Sequence, residues 1–148
     1  MEVPGSLKAE HEEIWNLLER AVAEQGAIGE AAKAVEERLR PHFEREEEFA
    51  LPPLAALTLS GEEDVTDPEH LVRLTERLRD ELPRMLEDHV LIAIALEDLS
   101  MEAKKAGRSE YIQLSEKLLH HARMEEEIFY PTALLIGSYI RQKMRQKV

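Results

Sequence analysis

The sequence predicts an all-α domain, a helical bundle made of two repeated hairpins with an extra C-terminal helix. Three observations carry this reading. Leu and Ala together number 37 of the 148 residues against 15 for Val and Ile, and aromatics make up only 5%, a composition that favours helix over sheet. Apolar residues recur at intervals of three and four in four charged stretches separated by Gly, Pro and Ser, the mark of amphipathic helices. Finally, the chain matches itself at a shift of 79 residues, so its two halves repeat one design.

The elements follow in order. The first helix is expected to start after Pro4-Gly5-Ser6, with Ser6 as N-cap, and to run through Ile14, Trp15, Leu17, Leu18 and Val22 to a stop near Gly26. A second covers about 29–49, bent locally by Pro41, before Leu51-Pro52-Pro53 ends it. Residues 54–67 form a connector with a short helical turn over 54–59, closed by Ser60-Gly61 and the acidic Glu62-Glu63-Asp64. Asp67-Pro68, an N-cap followed by proline at the first helical position, opens a helical pattern that runs to Ala106 with a kink or break near Pro83 and stops at Gly107. Ser109 then caps a helix ending at about Tyr130, before Pro131. A terminal helix over about 132–147 carries Ile136, Ile140 and Met144 on one stripe with Arg141, Lys143, Arg145 and Lys147 between them. We expect it to pack on its own bundle, the whole of 1–148 forming one domain.

Charge and composition narrow the function. A net charge of −12 repels phosphate backbones and anionic membranes, so neither nucleic acid nor membrane is an expected partner. With no cysteine, disulfides, thiolate zinc sites, iron–sulfur clusters and cysteine nucleophiles are excluded, and any metal must be held by nitrogen and oxygen. Residues 1–8 lack a basic segment followed by an apolar run, and no uncharged apolar stretch is long enough to span a bilayer. A cytoplasmic protein is expected.

The chemistry lies in the repeat. His42 through Glu46, Glu47 and Glu48 superimposes on His121 through Glu125, Glu126 and Glu127, and Pro52 falls on Pro131; upstream, Glu10-His11 matches Asp88-His89 at a shift of 78. Residues four apart share a helix face, so His42 with Glu46, and His121 with Glu125, form two chelating pairs. Phe49 and Ile128, seven residues after each histidine, extend that face as an apolar stripe. Glu47 and Glu126 turn about 140° away and read as solvated charge. His11 precedes Ile14, Trp15 and Leu18, and His89 precedes Ile92, Ala93 and Leu96, which puts both histidines on buried stripes. Four buried imidazoles and two buried carboxylates are costly unless something joins them, and a pair of metal ions is the simplest joiner. His120 lacks a repeat partner and reads as solvent-facing or as a support behind a ligand, and His70, 19 residues before His89, is too far along the helix and reads as surface, while Trp15, Phe43, Phe49 and Phe129 read as core, with one or two of them walling the metal pocket.

The order His11, His42-x-x-x-Glu46, His89, His121-x-x-x-Glu125 resembles the hemerythrin-like HHE cation-binding family over about residues 6–131. That resemblance implies a four-helix up-and-down bundle holding two iron ions with an oxo or hydroxo bridge. Glu46 and Glu125 would be the bridging carboxylates, with His11 and His42 on one iron and His89 and His121 on the other. Oxygen-carrying hemerythrins have a second histidine on the third helix where this chain has Ala93, and an aspartate five residues after the last histidine where this chain has Glu125 at four. The resemblance therefore implies a non-haem di-iron protein that binds or senses O₂, NO or peroxide, or alternatively an iron-handling module that stores or donates iron, including repair of iron centres. Whether it is an enzyme, and which protein partner it has, stay open. A metal-free acidic interaction bundle is the contrasting reading.

Overall fold

In a computed structural model that describes residues 2–59 and 65–146, five α-helices account for most of the chain, with no strand among the described residues. They are α1 (Gly5–Val22), α2 (Ala27–Arg45), α3 (Pro68–Ala106), α4 (Ser109–Met124) and α5 (Tyr130–Gln146). The α1, α2 and α3 stretches expected from the sequence are present, and α1–α4 close a ring in which each helix packs on two neighbours. The short links between α1 and α2 and between α3 and α4 make those partners antiparallel hairpins. None of the described helices is long and apolar enough to cross a membrane.

Helix ends follow local chemistry, with some departures from expectation. The first helix begins at Gly5 on the carbonyl of Pro4, which accepts from the Leu7 and Lys8 amides at 3.0 Å, and exposed Ser6 lies inside the helix rather than capping it. Gly26, at φ +78°, turns the chain into α2 three residues before Gly29. Gly29 is needed for space, since a Cβ there would sit 1.9 Å from the Glu24 carbonyl oxygen. Asp67 caps α3 as expected, accepting from the His70 amide at 3.0 Å, and Gly107 ends it at φ +68°. Ser109 is the first residue of α4, and no side chain caps that end. Ser60-Gly61, Glu62-Glu63-Asp64 and Lys147 lie outside the described residues.

The prolines interrupt less than expected. α2 runs through Pro41 and α3 through Pro83 as continuous helices. Both prolines sit on the exposed side, as do Glu37 and Arg79 four residues earlier, so the carbonyls deprived of a donor face water. The break expected before Pro131 is absent as well. Glu46–Ala50 and Glu125–Phe129 each form a wide π turn, closed by the Leu51 and Tyr130 amides on the carbonyls of Glu46 and Glu125. Pro52 and Pro131 each come just after such a turn, near the start of the next segment, where a missing donor is tolerated. Beyond that point the halves diverge: the first enters a 3₁₀ segment, Pro52–Thr58, and the second continues as α5.

The expected self-packing of the terminal helix is observed, against α3. Its buried side is Ala133, Gly137 and Ile140, with Ile136 and Met144 only partly covered. Two apolar clusters result. One, including Leu18, Val35, Leu39, Leu96 and Leu118, fills the bundle toward the hairpin turns. The other, including Phe49, Leu51, Leu78, Met85 and Ala133, lies toward α5. On α1, α3 and α4 the conspicuous histidines and glutamates fall in sequence between these two clusters, and on the second segment Glu46 does so while His42 sits just before Phe43 at the edge of the first.

Candidate metal centre

His11 on α1, His42 on α2, His89 on α3 and His121 on α4 are all buried, together with Glu46 and Glu125 at the first positions of the two π turns. All six residues singled out in the sequence therefore converge. They fall into two overlapping groups, His11–Glu46–His121–Glu125 and His42–Glu46–His89–Glu125, each offering one ligand atom per residue within 4.8 Å of the others. This grouping corrects the expected pairing of His11 with His42 and of His89 with His121. Nε2 of His11 lies 3.0 Å from Nε2 of His121, and Nε2 of His42 lies 3.0 Å from Nε2 of His89. Facing rings come from different hairpins because the bundle closes α1 on α4 and α2 on α3.

Each carboxylate spans both groups. Glu46 turns Oε2 toward His11 at 3.3 Å and Oε1 onto His42, while Glu125 turns Oε1 toward His89 at 3.1 Å and Oε2 toward His121 at 3.3 Å. The Oε2 atoms of both glutamates are buried with no hydrogen-bond partner.

Four further carboxylates fix the rings. Nδ1 of His42 meets Asp88 at 2.9 Å, Nδ1 of His121 meets Glu10 at 2.9 Å, Nδ1 of His89 meets Glu126 at 2.9 Å and Nδ1 of His11 meets Glu47 at 3.2 Å. Carboxylates only accept, so each Nδ1 carries the donated hydrogen and each neutral ring presents its Nε2 lone pair inward. Glu47 and Glu126 were expected to be solvated charge. Their side chains are indeed 44% and 41% exposed, but they lean across the groove to the neighbouring helix, whose histidine takes one oxygen. Glu10 and Asp88 were missed, although the repeat already aligned them as the acids preceding His11 and His89. Arg45 adds a bond to Asp88 at 2.9 Å.

Without a cation, protons must mediate these contacts. Burial disfavours charge on His42, but the Glu46 carboxylate and hydrogen bonds to Glu125 and Glu46 outweigh it and raise its pKa to about 10. Burial and the charge of His42 hold His89 below its ordinary value. Burial likewise opposes ionisation of Glu46, yet the His42 charge and its hydrogen bonds pull it well below the usual range, while burial and the Glu46 charge push Glu125 well above it.

The surroundings are unequal. Phe43 stacks on His11 with centroids 3.8 Å apart and planes 3° from parallel, walling the centre as expected for one of the aromatics. Beside it, a cleft of about 240 Å³ between α1 and α2 reaches His11 past Trp15, Asn16 and Arg40. Tyr130, which sequence reasoning missed, is buried against the other side, its hydroxyl donating to Glu46 Oε1 at 3.1 Å. Burial and the Glu46 and Glu125 charges push its phenol far above the ordinary value, which keeps it neutral. Ile128, expected on the apolar stripe, is 45% exposed, whereas Phe49 at the matching place in the first π turn is fully buried as expected. His120 is exposed and His70 only partly covered, and neither belongs to the cluster.

The donor set fits a metal pair. Two lone-pair nitrogens facing each other at 3.0 Å repel unless a proton or cation lies between them, and the orphaned Glu46 and Glu125 oxygens need a positive partner. The family model of the hemerythrin HHE cation binding domain matches residues 5–133, and the chain belongs to that family. No curated protein and no solved structure matches it.

Proposed function

We propose that this chain is a non-haem di-iron protein that binds or senses a small oxidant or diatomic molecule, O₂, NO or peroxide, with His11, His42, Glu46, His89, His121 and Glu125 as the iron ligands. The observation that carries the reading is the convergence of four inward Nε2 atoms on two carboxylates that each span both groups. Iron bound there would supply reversible ferrous–ferric chemistry, and imidazole and carboxylate serve both states.

The chain's own residues do the rest. Glu10, Glu47, Asp88 and Glu126 hold the four rings in one orientation. Glu46 and Glu125 offset positive charge from inside the bundle. The apolar clusters above and below exclude water, while the α1–α2 cleft gives a small molecule an approach to His11.

Metal analysis of protein purified without a His-tag tests the ligand set, with two irons per chain expected for the two groups. Stopped-flow spectra of the reduced protein mixed with O₂ or NO test the ligand, with a spectral change expected. Loss of iron to a chelator or apo-acceptor with no such change would point instead to iron storage or donation. Protein free of iron would overturn both readings.

A further inference from the structure

The two halves of the centre are related by the repeat, so any donor present in only one half is informative. Tyr130 is such a donor. It closes the second π turn as Leu51 closes the first, and Leu51 is a buried residue with no donor. The Tyr130 side chain is 1% exposed, and its hydroxyl oxygen lies 3.1 Å from Glu46 Oε1, 3.3 Å from His89 Nε2 and 3.5 Å from His42 Nε2. With the O–H directed at Glu46, the oxygen lone pairs face the gap between the two imidazoles. Among the described residues no hydroxyl is hydrogen-bonded to His11 or His121, and His11 lies beside the cleft of about 240 Å³, whereas the groove shared by His89 and His121 encloses only about 10 Å³.

Resting on the reading of this site as a two-cation centre, we propose that Tyr130 is an additional oxygen ligand that makes the halves unequal. A divalent cation between His42 and His89 is retained, and the one between His11 and His121 exchanges and is the one met from the cleft. The contrasting role is purely structural, with the hydroxyl only orienting Glu46. Because Glu46 serves both groups, that role would affect both cations alike.

Titration of the cation-free full chain with Co²⁺, read by visible absorption and by competition with a chelator, separates the two. Two steps at least tenfold apart in affinity are expected. Tyr130→Phe keeps the buried ring and should weaken the tighter step tenfold or more, bringing the steps together. His11→Asn should abolish the weaker step and leave the tighter one, with far-UV circular dichroism confirming that both variants fold. Equal weakening of both steps, no change in Tyr130→Phe, or loss of the tighter step in His11→Asn overturns the proposal and leaves the metal centre standing. A wild-type chain that binds no Co²⁺ overturns the centre and the proposal together.

Discussion

The Oδ2 atom of Asp88 stands 2.9 Å from Nδ1 of His42, and its repeat counterpart Glu10 stands at the same distance from Nδ1 of His121. In both cases the acid precedes one histidine in sequence and orients a different one on an adjacent helix of the other hairpin. The ring orientation of each half therefore depends on how the two hairpins dock.

Asp88→Asn should weaken cation binding at the His42–His89 half by about 10- to 100-fold, the usual cost of losing such a partner. Glu10→Gln should do the same at the His11–His121 half. Chelator competition measures both, and unchanged affinity in either variant would show that its Nδ1 contact does not position the ring.

The contrast between these residues shows what was legible in the sequence. His42 with Glu46 and His121 with Glu125 are readable because a spacing of four fixes a shared face whatever the rest of the chain does. The pairing of rings was not readable, since it depends on which helices become neighbours across the ring. Glu47 and Glu126 were misjudged for a related reason: an azimuth measured from His42 or His121 says nothing about a histidine on the adjacent helix. The π turns were also hidden, because an i→i+5 bond leaves no residue signature beyond the prolines that follow.

Gly137 tests the docking of α5. A Cβ at this position would lie 2.0 Å from Oγ1 and 2.5 Å from Cβ of Thr75 on α3, both buried, so neither can move aside freely. Gly137→Ala should cost about 1–3 kcal/mol through overpacking, read as a lower melting temperature. An unchanged melting temperature would mean that α5 does not seat on α3 at this point.

Glu46 and Glu125 should separate when the cation is removed. Glu46 is the ionised partner of protonated His42, so Glu46→Gln breaks a buried pair and should destabilise the cation-free protein by about 3–5 kcal/mol. Burial and the Glu46 charge push Glu125 well above the usual range and so favour its neutral form, so Glu125→Gln, a neutral side chain of the same shape, should cost the cation-free protein less stability than Glu46→Gln. Both variants should still lose at least one cation of the pair, because each carboxylate belongs to both groups. Equal melting temperatures in chelator would overturn the assignment of charge.

The same charges set a pH dependence whose sign can be worked out. In the cation-free protein the His42 pKa is raised from 6.5 to about 10, so its contribution is fully present below pH 6.5 and is lost as pH rises through about 10. Glu125, also raised, acts in the same sense from its ordinary 4.5 upward. Glu46 is lowered and acts oppositely, its contribution present above 4.5 and lost as pH falls. The Glu46 contribution changes only below 4.5, so in the window from 6.5 to 10 nothing from that carboxylate opposes His42, and Glu125 acts in the same direction as His42. The melting temperature measured in chelator should therefore fall across that window, by a loss on the order of a few kcal/mol. A bound cation takes the place of these protons, so the loaded protein should hold its melting temperature over the same range and its apparent cation affinity should climb with pH. A melting temperature in chelator that is flat or rises from pH 6.5 to 10 would show that no proton is held between His42 and Glu46.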